Sequence, residues 1–224
     1  MPSRRPRPTG EPRPTIPPEV VGRVYAEVHR LYQRPGGELP FHGWHHVEFV
    51  RAKALEFAER NQADPSVVEV AALVHDLNYL VEKDSRAAAG GRLRQRVLRH
   101  ASVPAEAARW VERVVQEAET CSRGADISLE AQALSDADTV FKVLPITPVV
   151  LSHRYLDETG IDLPTLAKKI TTEQLPLRDQ GIYFYDPEAA DRYRSWASAN
   201  LGLWEAITEA VQEPAVQRLL DQLQ

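Results

Sequence analysis

Cysteine is almost absent from this sequence: Cys121 is the only one in 224 residues. No disulfide can form within the chain, and no zinc site built on several thiolates is available. A reducing cytoplasmic setting is the expectation. Long apolar runs are also missing. None approaches the ~18 consecutive residues that a membrane-spanning helix needs, and the first residues lack the apolar core of a secretion signal. Basic clusters are lacking in the body of the chain. With 27 Lys and Arg against 32 Asp and Glu, the net charge is -5, which argues against a protein whose main task is gripping a nucleic acid backbone. There is no Gly-rich phosphate loop, no G-x-S-x-G nucleophile elbow, no internal repeat and no alternating pattern of a β-strand. What remains is an ordinary apolar fraction of 43%, enough at this length for one core.

Proline is concentrated at one end. Residues 1–18 hold seven of the 17 prolines, and four arginines against Glu11 give this stretch +3, leaving -8 on the rest of the chain. Such proline density cannot continue a helix or a ladder, and too little apolar surface accompanies it to offset ordering entropy. The composition predicts a flexible basic tail over 1–18 and a single domain over 19–224.

From Glu19 onward the apolar spacing is helical. Val20, Val24, Val28 and Leu31 line one face, and Val47, Val50, Ala54 and Ala58 line another helix opening near His45 or His46. Asp64 followed by Pro65 reads as a cap and first helical position. The run from Val67 to Val81, apolar on nearly every side, reads as a buried central helix. Further helices are predicted over 85–100, 104–119, 128–143, 187–211 and 214–223. Residues 159–186 mix turn signals with a short helical LPTLAKK and an aromatic run at 182–185, and read as a flap. The fold class expected is all-α, a single helical bundle.

The chemical signal lies where polar residues interrupt these apolar stretches. His75 and Asp76 fall inside the most hydrophobic segment, where an ionised carboxylate costs several kcal/mol unless it is paired or bound to a cation. A shared metal ion would compensate both neighbours. Two other places offer matching ligands: FHGWHHV, with His42, His45 and His46 at a loop-to-helix junction, and SDADTV, with Asp136 and Asp138. Imidazoles and carboxylates together suit a divalent cation such as Mn, Fe, Zn, Mg or Co. Taken singly, each has a plainer role, as a hydrogen-bonded core histidine or, for Asp136, a helix cap.

In their order and spacing, His46, the pair His75-Asp76, and Asp138 resemble the H...HD...D signature of the HD superfamily of metal-dependent phosphohydrolases, over about residues 20 to 145. The stretch FHGWHHV is similar to the Tyr-His-Asn-Trp-x-His segment of cyclic nucleotide phosphodiesterases and bacterial HD proteins. The resemblance implies an all-α fold and a metal held by His46, His75, Asp76 and Asp138. It also implies that His42 donates a proton to the leaving group and that His45 is a bystander.

Departures bear on the reaction. Two-metal members carry further histidines after the HD pair, whereas VERVVQEAETCSRG has none, so one divalent ion is expected. Glu117 or Glu119 is left as an outer-shell group or substitute ligand, and Asp136 stays open as an additional one. Tyr79 stands where some nucleotidases of the superfamily have a catalytic Glu, and Gly43 where Asn is usual. The implied activity is hydrolysis of a small phosphate ester or nucleotide by metal-bound hydroxide, with Asp76 accepting the water's proton. Lys142, Arg86 and Lys83 are candidates to hold the phosphate, and the aromatic run Tyr183 to Tyr185 to cover a substrate ring. The alternatives are an HD-type oxygenase or hydratase acting on a non-phosphate substrate, and a non-catalytic metal- or ligand-binding module.

Overall fold

The structure is a computed structural model that describes residues 15–36 and 38–222. Most of the tail predicted over 1–18 lies outside the described residues. Of its last four residues, Ile16 is buried, with its backbone N–H donating to Ser66 Oγ at 2.9 Å.

The architecture is all-α. Ten α-helices run in order among the described residues: α1 (Pro18–Tyr32), α2 (Trp44–Asn61), α3 (Pro65–Val74), α4 (Gly91–His100), α5 (Ala105–Glu117), α6 (Leu129–Val143), α7 (Ser152–Thr159), α8 (Leu163–Gln180), α9 (Pro187–Ala210) and α10 (Pro214–Gln222). No strand occurs among these residues. Short 3₁₀ turns at Ala87–Gly90 and Thr120–Ser122 and a π-turn at Thr147–Leu151 join them.

α3 is the centre of the bundle because its sequence is apolar nearly all round: Val67, Val68, Val70 and Ala71 through Val74 are all buried. Each buried valine or leucine contributes about 1.5–3 kcal/mol over an exposed one. α1, α2, α5 and α6 surround α3, with α2 packed along α6. Asp64 starts α3 as its spacing predicts, accepting from the Ser66 and Val67 N–H groups at 2.9 and 3.1 Å, and satisfying two otherwise orphaned donors. Ser128 and Asp186 cap α6 and α9 in the same manner. α9 joins the main core through α6 and carries α8 on its other side. A second, smaller apolar cluster, Leu166, Ala167 and Trp204, lies in this α8–α9 layer.

Two expected elements are corrected. The central helix does not continue from Val67 to Val81 but stops at Val74. Beyond it the chain makes tight turns, with Leu77 N–H donating to Val74 O, Tyr79 N–H to Asp76 O, and Val81 N–H to Asn78 O. Leu77 and Asn78 remain buried, so the apolar run continues inward without being helical. Backbone packing holds these turns: a Cβ on Gly90 would lie 2.7 Å from Asn78 N, and Asn78 Nδ2 donates to Ser85 O at 2.9 Å. Nor is 159–186 a flap. Asp162 caps the 18-residue helix α8, which ends at Gly181 with a left-handed φ of 67°. Tyr183 and Phe184 then pack into the main core, while Tyr185 lies against Arg123.

Candidate metal centre

The first histidines are placed by the entry to α2. Gly43 is its N-cap, and a Cβ there would lie 2.3 Å from Leu39 O. The glycine that departs from the related motif is thus required by the turn that precedes the helix. Starting α2 at Trp44 puts His46 on its buried face and leaves His45 exposed.

His46 Nε2 lies 3.2 Å from His75 Nε2 and 2.9 Å from Asp76 Oδ2. His75 Nε2 is 3.2 Å from the same Asp76 oxygen. Asp138, on α6, brings Oδ1 to 3.7 Å from His46 Nε2, and its Oδ2 is 2.7 Å from Lys142 Nζ one turn later. Ligand atoms of His46, His75 and Asp76 all fall within 4.8 Å of one another. His75 sits at the end of α3, and its Nδ1 is 2.7 Å from Ala72 O. A carbonyl only accepts, so Nδ1 carries a proton. In the neutral ring Nε2 is then a lone pair facing carboxylate oxygens and a second imidazole nitrogen, an arrangement that either a proton or a metal ion at Nε2 would stabilise.

The electrostatics agree. Burial opposes charging of His75, but Asp76 and Asp138 reverse this and raise its pKa. Burial prevails at His46, whose pKa is lowered. Its ring is packed edge-on at 4.4 Å against Phe141. Burial would raise Asp76, but His75 and His46 hold it well below the usual carboxylate range. At Asp138 burial is likewise outweighed, chiefly by Lys142 and then His46, and the carboxyl stays lowered. The group is therefore two imidazoles and two ionised carboxylates at the inner end of the bundle. Such a donor set fits a divalent cation. His46 Nδ1 is buried without a partner among the described residues, so packing fixes the ring there.

His42 adjoins this group, its ring 5.8 Å from that of His46. The sequence did not point to its partner. Glu158 of α7, only 3% exposed, has Oε1 at 2.6 Å from His42 Nδ1, and its Oε2 accepts from the Phe41 and His42 N–H groups at 2.8 and 3.0 Å. Burial would raise this carboxyl, but the contacts with His42 and the two amides lower it. On its other side His42 stacks on Tyr79 with centroids 3.6 Å apart.

A cavity of about 540 Å³ opens from the cluster and is lined by His42, His75, Asp76 and Asp138, together with Arg86, Glu119 and Lys142. Glu119 accepts from Ala87 N–H at 2.9 Å. Lys83 does not line the cavity, and neither does any of the aromatic run at 183–185. Glu117 is occupied at the start of α6, accepting from Ser128 N and Oγ. Asp136 faces away from the cluster: it pairs with buried Arg123 at 2.5 Å and accepts from the Tyr185 and Asp186 N–H groups. Across the cavity, Lys169 donates to Tyr155 Oη at 2.7 Å and also pairs with Asp84, which accepts from Tyr155 at 3.0 Å. These residues, like Glu158, lie in stretches with no motif.

No family model matches the chain, and no curated protein does. Among solved structures, a Lactobacillus plantarum protein determined as a structural-genomics target is similar at a TM-score of 0.65 and 15% identity, covering 88% of this chain and 97% of its own. That likeness shows a shared fold. A predicted HD superfamily hydrolase from an uncultured Thermotogales bacterium covers 92% of each chain at 18% identity and a TM-score of 0.45.

Proposed function

We propose that the protein is a metal-dependent phosphohydrolase of the HD type, acting on a small phosphate ester or nucleotide. One observation carries this reading: the Nε2 atoms of His46 and His75 converge on Asp76 Oδ2 at 2.9 and 3.2 Å, and His75 and Asp76 line a cavity that also presents Lys142. His46, His75, Asp76 and Asp138 would hold one divalent ion. A bound ion of this kind lowers the pKa of water and polarises a phosphoryl oxygen.

The remaining work falls to side chains of this chain. Asp76, held ionised, accepts a proton from the attacking water. His42, its Nδ1 fixed by Glu158 and its face by Tyr79, delivers a proton to the departing alkoxide. Lys142 and Arg86, both on the cavity wall, neutralise phosphate oxygens. The carboxylate pull on Lys142 raises its pKa against the effect of burial, so it is cationic at neutral pH.

Phosphate release from a panel of phosphomonoesters and nucleotides, after reconstitution with Mn, Fe, Zn, Mg or Co in turn, tests the proposal. Turnover that depends on the metal and disappears in Asp76→Ala, with an unchanged circular dichroism spectrum, is expected. Turnover that survives Asp76→Ala overturns it.

A further inference from the structure

The cavity does not end at the metal cluster. It continues past Lys142 between α6 and the α8–α9 layer, where Leu166, Ile170, Gln174, Asn200 and Trp204 form its wall. Leu166 and Trp204 belong to the second apolar cluster, so this arm runs along the seam between the two cores. It pairs an indole and aliphatic carbons with two side-chain amides, and Lys169 and Glu173 of α8 line the same cavity.

Those amides are not used up by the fold. Asn200, only 2% exposed, donates through Nδ2 to Lys142 O and Leu144 O. Two carbonyl acceptors fix the orientation of the amide, and Oδ1 is left buried with no partner among the described residues. Gln174 Oε1 is likewise buried and unpartnered. A buried acceptor without a partner is costly, and two along one wall of the arm make a site for hydrogen-bond donors.

We infer that this arm holds the organic part of the substrate, and that it selects a flat apolar group carrying an N–H or O–H donor for Asn200 Oδ1, with Gln174 as a second contact. The inference rests on the hydrolase reading for the position of the phosphate, beside Lys142 and Asp138. It adds what hangs from the phosphate. A purely apolar group would leave Asn200 Oδ1 unpaired, and a short polyol would leave Trp204 uncovered. Recognition by such a buried acceptor discriminates more sharply than apolar fit alone.

Ethyl, benzyl and 3-aminobenzyl phosphate separate these contributions, because all three release a primary alcohol. The expected order of kcat/KM is 3-aminobenzyl over benzyl over ethyl, each step about tenfold. Gln174→Met, which keeps side-chain length and removes no hydrogen bond within the protein, and Asn200→Leu should each reduce the advantage of 3-aminobenzyl over benzyl phosphate by several-fold. The melting temperature and bound metal of each variant report folding. Calorimetric titration with 3-aminobenzyl alcohol and benzyl alcohol reads the arm without turnover. Equal kcat/KM for the three esters, or a preference untouched in both variants, overturns the inference and leaves the hydrolase reading standing. No hydrolysis of any ester, with tighter binding of the amino alcohol that both variants weaken, overturns the hydrolase reading and leaves the arm. Equal binding of the two alcohols in the absence of hydrolysis overturns both.

Discussion

His42 and Glu158, 116 residues apart in sequence, meet at 2.6 Å in the interior of the protein. The same carboxylate also takes the backbone N–H groups of Phe41 and His42, so one side chain from α7 fixes both the loop before α2 and the imidazole it carries. With Nδ1 occupied, Nε2 is the atom that His42 offers to chemistry.

Replacing Glu158 by Gln keeps the size and one acceptor but removes the charge that orients the ring. The expected result is a fall in kcat of about 10- to 100-fold with bound metal retained, measured by phosphate release and elemental analysis. An unchanged kcat in Glu158→Gln would mean that His42 takes no part in proton transfer.

Asp136 and Asp138 are two residues apart and are predicted to fail in different ways. Asp136→Ala strands the buried Arg123 guanidinium and should cost about 3–5 kcal/mol of stability while metal is retained. Asp138→Ala, which removes a partly exposed carboxylate beside His46, should release metal at a much smaller loss of stability. Denaturant unfolding and metal content on the two variants distinguish them.

Gly43→Ala should be destabilising by about 1–3 kcal/mol, because the added Cβ would press on Leu39 O at 2.3 Å. Relief requires moving the start of α2, and His46 with it. A thermal melt and a metal titration on Gly43→Ala are expected to shift together.

Acid sensitivity is expected from Glu112. Burial would raise its carboxyl, but fully buried Arg94, at 2.5 and 2.8 Å, holds it below the usual value of 4.5. Because the folded pKa is the lower one, the stabilisation is complete above pH 4.5 and is lost as the pH falls through the folded value. Urea midpoints measured from pH 7 down to pH 3 should decline, and Glu112→Gln should flatten that part of the profile.

Much of the bundle is visible in the sequence because its helices are amphipathic or capped. Asp64-Pro65, Ser128 and Asp186-Pro187 each mark a start that the structure keeps. The end of α3 is not visible, since an unbroken apolar run has no period that distinguishes a helix from buried turns. The turns after the helix bring Asn78 against Gly90, a contact between segments that no local pattern shows. α8 is hidden for the opposite reason: Thr171, Thr172 and Pro176 speak against a helix locally, and packing against α9 overrides them. In the candidate site, the residues that stand out by motif are those in an apolar register, His46, His75, Asp76 and Asp138. Glu158, Asn200 and Gln174 look like ordinary polar positions until the chain closes around them.

His46, His75, Asp76 and Asp138 are proposed to hold one divalent ion. Metal content by plasma mass spectrometry, on protein purified without chelator or affinity metal, tests this most directly when His75→Ala and Asp76→Ala are measured alongside. Close to one divalent ion per chain is expected in the parent and none in either variant. Absence of bound metal in the parent after reconstitution with Mn, Fe, Zn, Mg and Co in turn would contradict it, and would leave His75 and Asp76 as a buried ion pair.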